Sequence, residues 1–119
     1  MSKKSFGNEG EKIARDFLEN QDYEIIDSNF RTRFGEIDII ARDRDVWVFC
    51  EVKARRGISF GLPEEAVTFR KQNKIVHQAL AYIKEKNLGD VSWRVDVVSI
   101  VMPVGREPKI KLIKNAVER

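Results

Sequence analysis

The chain has 119 residues, enough for one domain around one core that buries roughly two-thirds of the surface its unfolded form exposes. With 42% hydrophobic residues it is too apolar for a disordered chain, and with 34% charged residues it has no run of about 18 apolar residues to cross a membrane. A formal net charge of +3, from 22 basic against 19 acidic residues, is compatible with a nucleic-acid partner but does not by itself point to one.

In chain order, the first seven residues carry positive charge without the apolar segment of an export signal, so a cytoplasmic protein is expected. From Asn8 to Asn20, Gly10, Ile13, Ala14, Phe17 and Leu18 recur at helical spacing and predict a first helix, with Phe6 before it. At about 100° per residue, Glu9 and Glu11 fall on opposite flanks of that stripe, and geometry alone does not choose between them. Tyr23 to Phe30 predicts a short strand, followed by a turn over Arg31–Gly35. Glu36–Ala41 and Val46–Lys53 read as two strands of a hairpin joined by Arg42–Asp45. The second is apolar on both faces until Glu51, the pattern of a central strand covered on both sides.

A loop with two glycines and two arginines follows Lys53, and Pro63-Glu-Glu has the character of a helix start. Ile75, Val76, Ala79, Leu80 and Ile83 predict a second long helix, broken near Thr68 and ended by Gly89. Val91–Met102 and Lys109–Ile113 complete the pattern as strands, the lysines of the last suiting a sheet edge. The expected order is helix, three strands, helix, two strands, in one α/β domain over residues 1–119.

The residue types at the hairpin carry the chemistry. A hairpin loop with an even number of residues sets Asp38 opposite Phe49 or Glu51, and regular alternation then places Asp38, Glu51 and Lys53 on one sheet face. Two carboxylates and an ammonium on a covered face are costly unless they neutralise one another or hold a cation, and a hard divalent ion with oxygen ligands is one solution. An ion pair at the strand end is the other. Cys50, the single cysteine, excludes an internal disulfide or a cysteine-rich zinc site and reads as a small buried hydrophobe. His77, the single histidine, argues against a Ser-His-Asp triad and reads as an ordinary helix-face residue. Arg94 and Asp96 share a face at i and i+2 and read as a structural ion pair.

Gly7-x-x-Gly10-Glu11 with Ala14 and Leu18, Asn29 with Arg31, Gly35-Glu-Ile-Asp38, Phe49-x-Glu51-Val-Lys53-x-Arg55, Lys71 with Ala79 and Tyr82, and Arg94-x-Asp96-Val-Val98 together resemble the YraN-like family of the PD-(D/E)XK superfamily. That family is similar to archaeal Holliday-junction resolvases. The proline of the superfamily's name is Ile37 here. The resemblance implies a restriction-endonuclease-like fold, a mixed central sheet flanked by helices. It also implies that Asp38 and Glu51 ligate Mg²⁺ or Mn²⁺, that Lys53 orients or activates the attacking water, and that Glu11, rather than Glu9, completes the metal shell. A capping box with Asn8 is the structural alternative for Glu11. Glu36 is a further ligand or the solvated start of its strand.

Arg31 and Arg33 before Asp38, Arg55 and Arg56 after Lys53, and Arg70, Lys71 and Lys74 on the long helix bracket the acids and suit a phosphate backbone, with Gln72 a further contact. The expected function is a divalent-metal-dependent DNA endonuclease directed at branched structures. The alternative is a non-catalytic nucleic-acid-binding accessory protein on the same fold. A homodimer would be the natural vehicle for paired cuts.

Overall fold

The structure, a computed structural model, describes residues 3–58, 61–63 and 69–117. Its elements are α1 (Lys3–Asn20), β1 (Glu24–Thr32), β2 (Gly35–Asp43), β3 (Val46–Arg55), α2 (Phe69–Glu85), β4 (Trp93–Val101) and β5 (Lys109–Ile113). The five strands form one sheet in chain order. All neighbours are antiparallel except β3 and β4, which run parallel and are joined by the crossover that contains α2. This is the expected order, and β3 is the central strand.

Each face of the sheet has its own core. Ala14 and Leu18 of α1 pack on Ile39, Ala41, Val48, Cys50, Val98 and Ile100, all buried. Ile75, Ala79 and Tyr82 of α2 pack on Ile37, Ile40, Phe49 and Val95. Thus even-numbered residues of β3 face α1 and odd-numbered ones face α2, where Phe49 and Trp47 both meet the ring of Tyr82. Burial on both sides explains why β3 is apolar without alternation. Cys50 is fully buried among aliphatic side chains, as its residue type suggested, and burial pushes its thiol well above the usual range.

The boundaries correct the sequence reading in physically informative places. Helix α1 begins at Lys3, not Asn8, because Phe6 packs against the core and extends the stripe by a turn. Asn8 is therefore inside the helix, and the Asn8–Glu11 capping box does not form. The β2–β3 ladder runs on to Asp43↔Val46, leaving a two-residue loop, Arg44-Asp45, in place of Arg42–Asp45. Arg42 stacks over Trp47 at 5.5 Å and Asp43 accepts from Arg94, so both are held in the sheet, while Arg44 takes the left-handed conformation (φ 58°) of a tight hairpin. Likewise β1 continues to Thr32↔Gly35, through an Arg31–Glu36 ion pair. On α2, Leu80 is half exposed, and Tyr82 fills the core position instead, one step of i+3 beyond Ala79.

Both helices end in the same way. The amides of Asp22 and Tyr23 bond back to Glu19 and Leu18, and those of Asn87 and Leu88 to Lys84 and Ile83. Asp22 (φ 67°) and Asn87 (φ 54°) supply the left-handed residue of this cap, so Asn87, not Gly89, terminates α2. The Pro63–Glu65 helix start and the break near Thr68 involve residues outside those described.

Gly10 lets α1 lie close to β3, since a Cβ added there would stand 3.2 Å from that of Ala54. Gly10→Ala gains about 1 kcal/mol of helix propensity against that crowding. Gly10→Val adds two methyl groups to the same gap and should destabilise by about 1–3 kcal/mol, read as a lower urea midpoint.

Arg94 and Asp96 form the core of a buried network. Asp96, fully buried, accepts from Arg94 Nε (2.9 Å), the Tyr23 hydroxyl (3.0 Å) and the Asn115 amide (2.9 Å), and Arg94 also donates to Asp43 (2.9 Å). Burial, then the Asp96 charge, hold the Tyr23 hydroxyl above its ordinary range. For Arg94, burial works against the charge, but the bonds to Asp96 and Asp43 outweigh it and raise the pKa. The network ties the end of α1 to β4, the β2–β3 turn and the segment after β5. Asp96→Asn leaves the guanidinium short of a buried counter-charge and should cost about 3 kcal/mol in denaturant unfolding.

Candidate active site

The site begins with an interruption in strand pairing. The β2–β3 register runs from Asp43↔Val46 to Ile39↔Cys50, and one further step would set Asp38 opposite Glu51. There the strands part. The Val52 amide donates to Asp38 Oδ2 at 2.8 Å, so a side chain takes up a backbone donor of the central strand.

Across β1, Asn29 faces Asp38, between the pairs Ser28↔Ile39 and Phe30↔Ile37, and Asn29 is left-handed (φ 54°). Ile37 packs with α2 whereas Ile39 packs with α1, so alternation fails at Asp38. The register expected from the sequence holds, but strict alternation does not, because this irregularity turns Asp38 toward the seam between β2 and β3.

Glu51 and Lys53 continue the α2-facing row of β3 beyond Phe49 and form an ion pair at 2.9 Å, both mostly buried. With Glu36, they line a cavity of about 200 Å³ closed by Lys71, Lys74 and Gln78 of α2. Asp38 feels this charge cluster. Burial first, then the Glu51 carboxylate, push its pKa up to about 7; the Val52 bond and Lys53 oppose this, and Glu36 adds to it. The Lys71 ammonium is shifted down, mainly by the neighbouring Lys53 charge and then by burial.

Glu11 stands on α1, which covers the opposite face of β3 from Glu51 and Lys53. Its carboxylate accepts from Asn29 Nδ2 at 3.0 Å and lies 3.9 Å from Arg15. Thus Glu11 is linked to the residue that faces Asp38, not to the Glu51–Lys53 pair. Among the described residues no group of three Asp, Glu, His or Cys side chains is gathered to hold a metal ion. The set brought together is Asp38, Glu51 and Lys53, with Glu36 beside it.

The basic residues divide by position. Lys71 and Lys74 border the acidic cavity, and exposed Arg70 is on the same helix, with half-buried Gln72. Arg31 and Arg33 are exposed at the β1–β2 hairpin, Arg31 on Glu36 (3.2 Å) and Arg33 over Phe34 (4.8 Å). Arg55 and Arg56 are exposed where β3 ends, Arg56 over Phe6 at 4.8 Å. His77 is exposed on α2. Gln78 was missed by the sequence reading: it is buried, accepts from the Thr32 hydroxyl at 2.8 Å and lines the cavity. Its signal was a polar residue one position before Ala79 in the apolar stripe.

A mixed five-stranded sheet between helices, with Asp38 at the parting of two central strands and Glu51-x-Lys53 on the next, defines an α/β domain of restriction-endonuclease-like architecture. Residues 10–100 match the family described as "Uncharacterised protein family UPF0102". The chain belongs to that family, the YraN-like family of the sequence resemblance. Similar relatives, each described as a UPF0102 protein, include one from Clostridium botulinum strain Loch Maree, 46% identical over 95% of this chain and 94% of its own length. Another, from Trichlorobacter lovleyi, is 46% identical over 92% and 87%, and one from Caldicellulosiruptor saccharolyticus is 43% identical over 98% and 99%. No helix among the described residues is long and apolar enough to cross a membrane.

The raised Asp38 pKa has a thermodynamic consequence. The carboxyl is easier to keep protonated when folded, so its contribution to stability is full below the unfolded value near 4 and is lost as pH rises through about 7. Asp38→Asn should therefore raise the melting temperature of metal-free protein at pH 8 and leave it nearly unchanged at pH 4, by calorimetry at both pH values.

Proposed function

We propose that this protein is a divalent-metal-dependent endonuclease that hydrolyses phosphodiester bonds in DNA, with a preference for branched structures. The observation that carries this reading is the meeting of Asp38 and Glu51 beside Lys53, where burial and then repulsion by the Glu51 carboxylate push the Asp38 pKa up to about 7. A cation would relieve that repulsion. The donor set fits Mg²⁺ or Mn²⁺, because carboxylate oxygens are hard ligands and Mg²⁺ binds through one or two carboxylates while keeping several waters.

Asp38 and Glu51 would hold the ion, which when bound would neutralise phosphate oxygens and lower the pKa of a water. Lys53, released from its pairing with Glu51, would meet the scissile phosphate or orient the attacking water. Lys71 and Lys74 would fix the neighbouring phosphates. Glu11, through Asn29, would keep the β1–β2 irregularity that aims Asp38. Cytoplasmic location and a homodimer making paired cuts belong to the same proposal.

A binding module without turnover uses the same surface, and Glu51→Gln separates the two. The substitution keeps size but removes the charge that would hold a cation. Cleavage of single-stranded, duplex, flap and four-way-junction DNA in Mg²⁺ or Mn²⁺ should fall by about 10²–10³, as for loss of one electrostatic transition-state contact. Affinity in EDTA should persist or rise, because an acid has left an anion-binding cleft. Wild-type protein that cuts no DNA form, yet binds as well as Glu51→Gln, would show the binding module.

The basic surface has its own signature. Replacing Arg55, Arg56, Lys71 and Lys74 together by Ala should lower the slope of log K against log salt by about 0.9 per lost phosphate contact on duplex DNA. An unchanged slope places the binding surface elsewhere.

A further inference from the structure

Beyond the proposed site, the same sheet face continues to the far edge and carries a second set of groups. Lys53 is paired with Ser99 on β4, and Ser99 with Lys111 on β5. One step on, Arg55 is paired with Val101, and Val101 with Lys109. Lateral partners share a face, so these two rows lead from the Glu51–Lys53 pair to the β5 edge, about 10 Å away at two strand spacings. Helix α2 packs chiefly on β2 and β3, and this end of the face opens instead into a cavity of about 430 Å³.

The lining of that cavity has two parts. Ile58, Leu62, Val101 and Pro103 form an apolar wall, and Ile58 and Leu62 are 59% and 41% exposed. Lys109 and Lys111 form a basic rim, Arg56 borders the cavity with its guanidinium over Phe6, and the described lining contains no acid. Cations over an apolar hollow match a ligand with anionic linkages and flat apolar faces. A duplex hides its base faces in the stack and presents phosphate and sugar outward, whereas an unpaired nucleotide offers both features at once.

We infer that the β4–β5 end of this face is a single-strand track, in which Lys109 and Lys111 take phosphates while an unpaired base rests against Leu62, Val101 and Pro103. It rests on the nuclease reading for its purpose, to feed a strand lacking a partner toward Lys53. The substrate class is then DNA with an unpaired segment beside the cut, such as a flap or the opened arm of a junction, rather than continuous duplex.

The test is made without metal, so that binding is read apart from cleavage. Wild-type protein, Lys109→Ala/Lys111→Ala and Leu62→Ala are titrated in EDTA with a short labelled single strand, its duplex, and the same strand with abasic sugars. The double variant should lose about five- to tenfold in single-strand affinity near 0.1 M salt. Its salt slope should fall by about 1.4, at about 0.7 per single-strand phosphate contact. Its duplex affinity should stay within about twofold of wild type. Leu62→Ala should weaken the base-bearing strand about threefold and leave the abasic strand unchanged, in line with the modest worth of one apolar base contact. Equal losses on single strand and duplex, no loss on either, or an abasic strand bound by wild type as tightly as the natural one would each overturn the track. Wild-type protein that follows the expected pattern but cleaves no DNA with Mg²⁺ or Mn²⁺ would overturn the nuclease reading and support the track as a binding surface.

Discussion

The hydrogen bond from the Val52 amide to the Asp38 carboxylate is the point on which the site turns. A backbone donor in the middle of a sheet must find an acceptor, and here the neighbouring strand supplies a side chain. The replacement parts β2 from β3 just beyond Ile39↔Cys50 and fixes one oxygen of Asp38. It also draws a carboxylate into the partly buried seam, where burial and then the Glu51 charge raise its pKa. Without that bond the Val52 amide would lack its acceptor and the Asp38 carboxylate would no longer be fixed at the seam.

The remaining structure holds this seam rigid from both sides. Glu11 anchors Asn29, whose left-handed backbone faces Asp38, so α1 bears on the irregularity from one face. Gln78 and Lys71 of α2 close it from the other, through Thr32 and the neighbourhood of Lys53. The Tyr23–Arg94–Asp96 network lies toward the opposite end of the sheet, where β4 begins, and there it locks α1, β4 and the β2–β3 turn together. The network around fully buried Asp96 is thus at one end of the sheet, and the end that holds Asp38, Glu51 and Lys53 has the carboxyl whose pKa is raised.

Much of this was legible in the sequence because the signals were periodic. The β3 segment shows its burial in a run of apolar residues, and the even-length hairpin narrows the residue opposite Asp38 to Phe49 or Glu51, of which the observed ladder points to Glu51. What stayed hidden depends on departures from period. Nothing local in Asn29 or Asp38 announces that alternation fails there, since left-handed Asn and a carboxylate that caps a strand amide are tertiary outcomes. Glu11 was placed by resemblance alone, and the structure gives it a different immediate partner from the other acids. Leu80 misled because an exposed leucine one residue past Ala79 fits a stripe as well as a buried one.

The sheet's two borders bear on how copies of the chain could meet. At β1 the register shifts between Ile25 and Asp27 and Asn29 bends the strand, so its outer rim is not a straight template. At β5 the rim is five residues long, with exposed Lys109 and Lys111. A second β5 laid fully antiparallel against the first would set Lys111 directly beside its counterpart, a like-charge contact that discourages strand addition. Any symmetric pairing of two chains is thereby steered away from a continuous ten-stranded sheet and toward contacts made by helix or loop surfaces, which would leave each β4–β5 rim open to solvent.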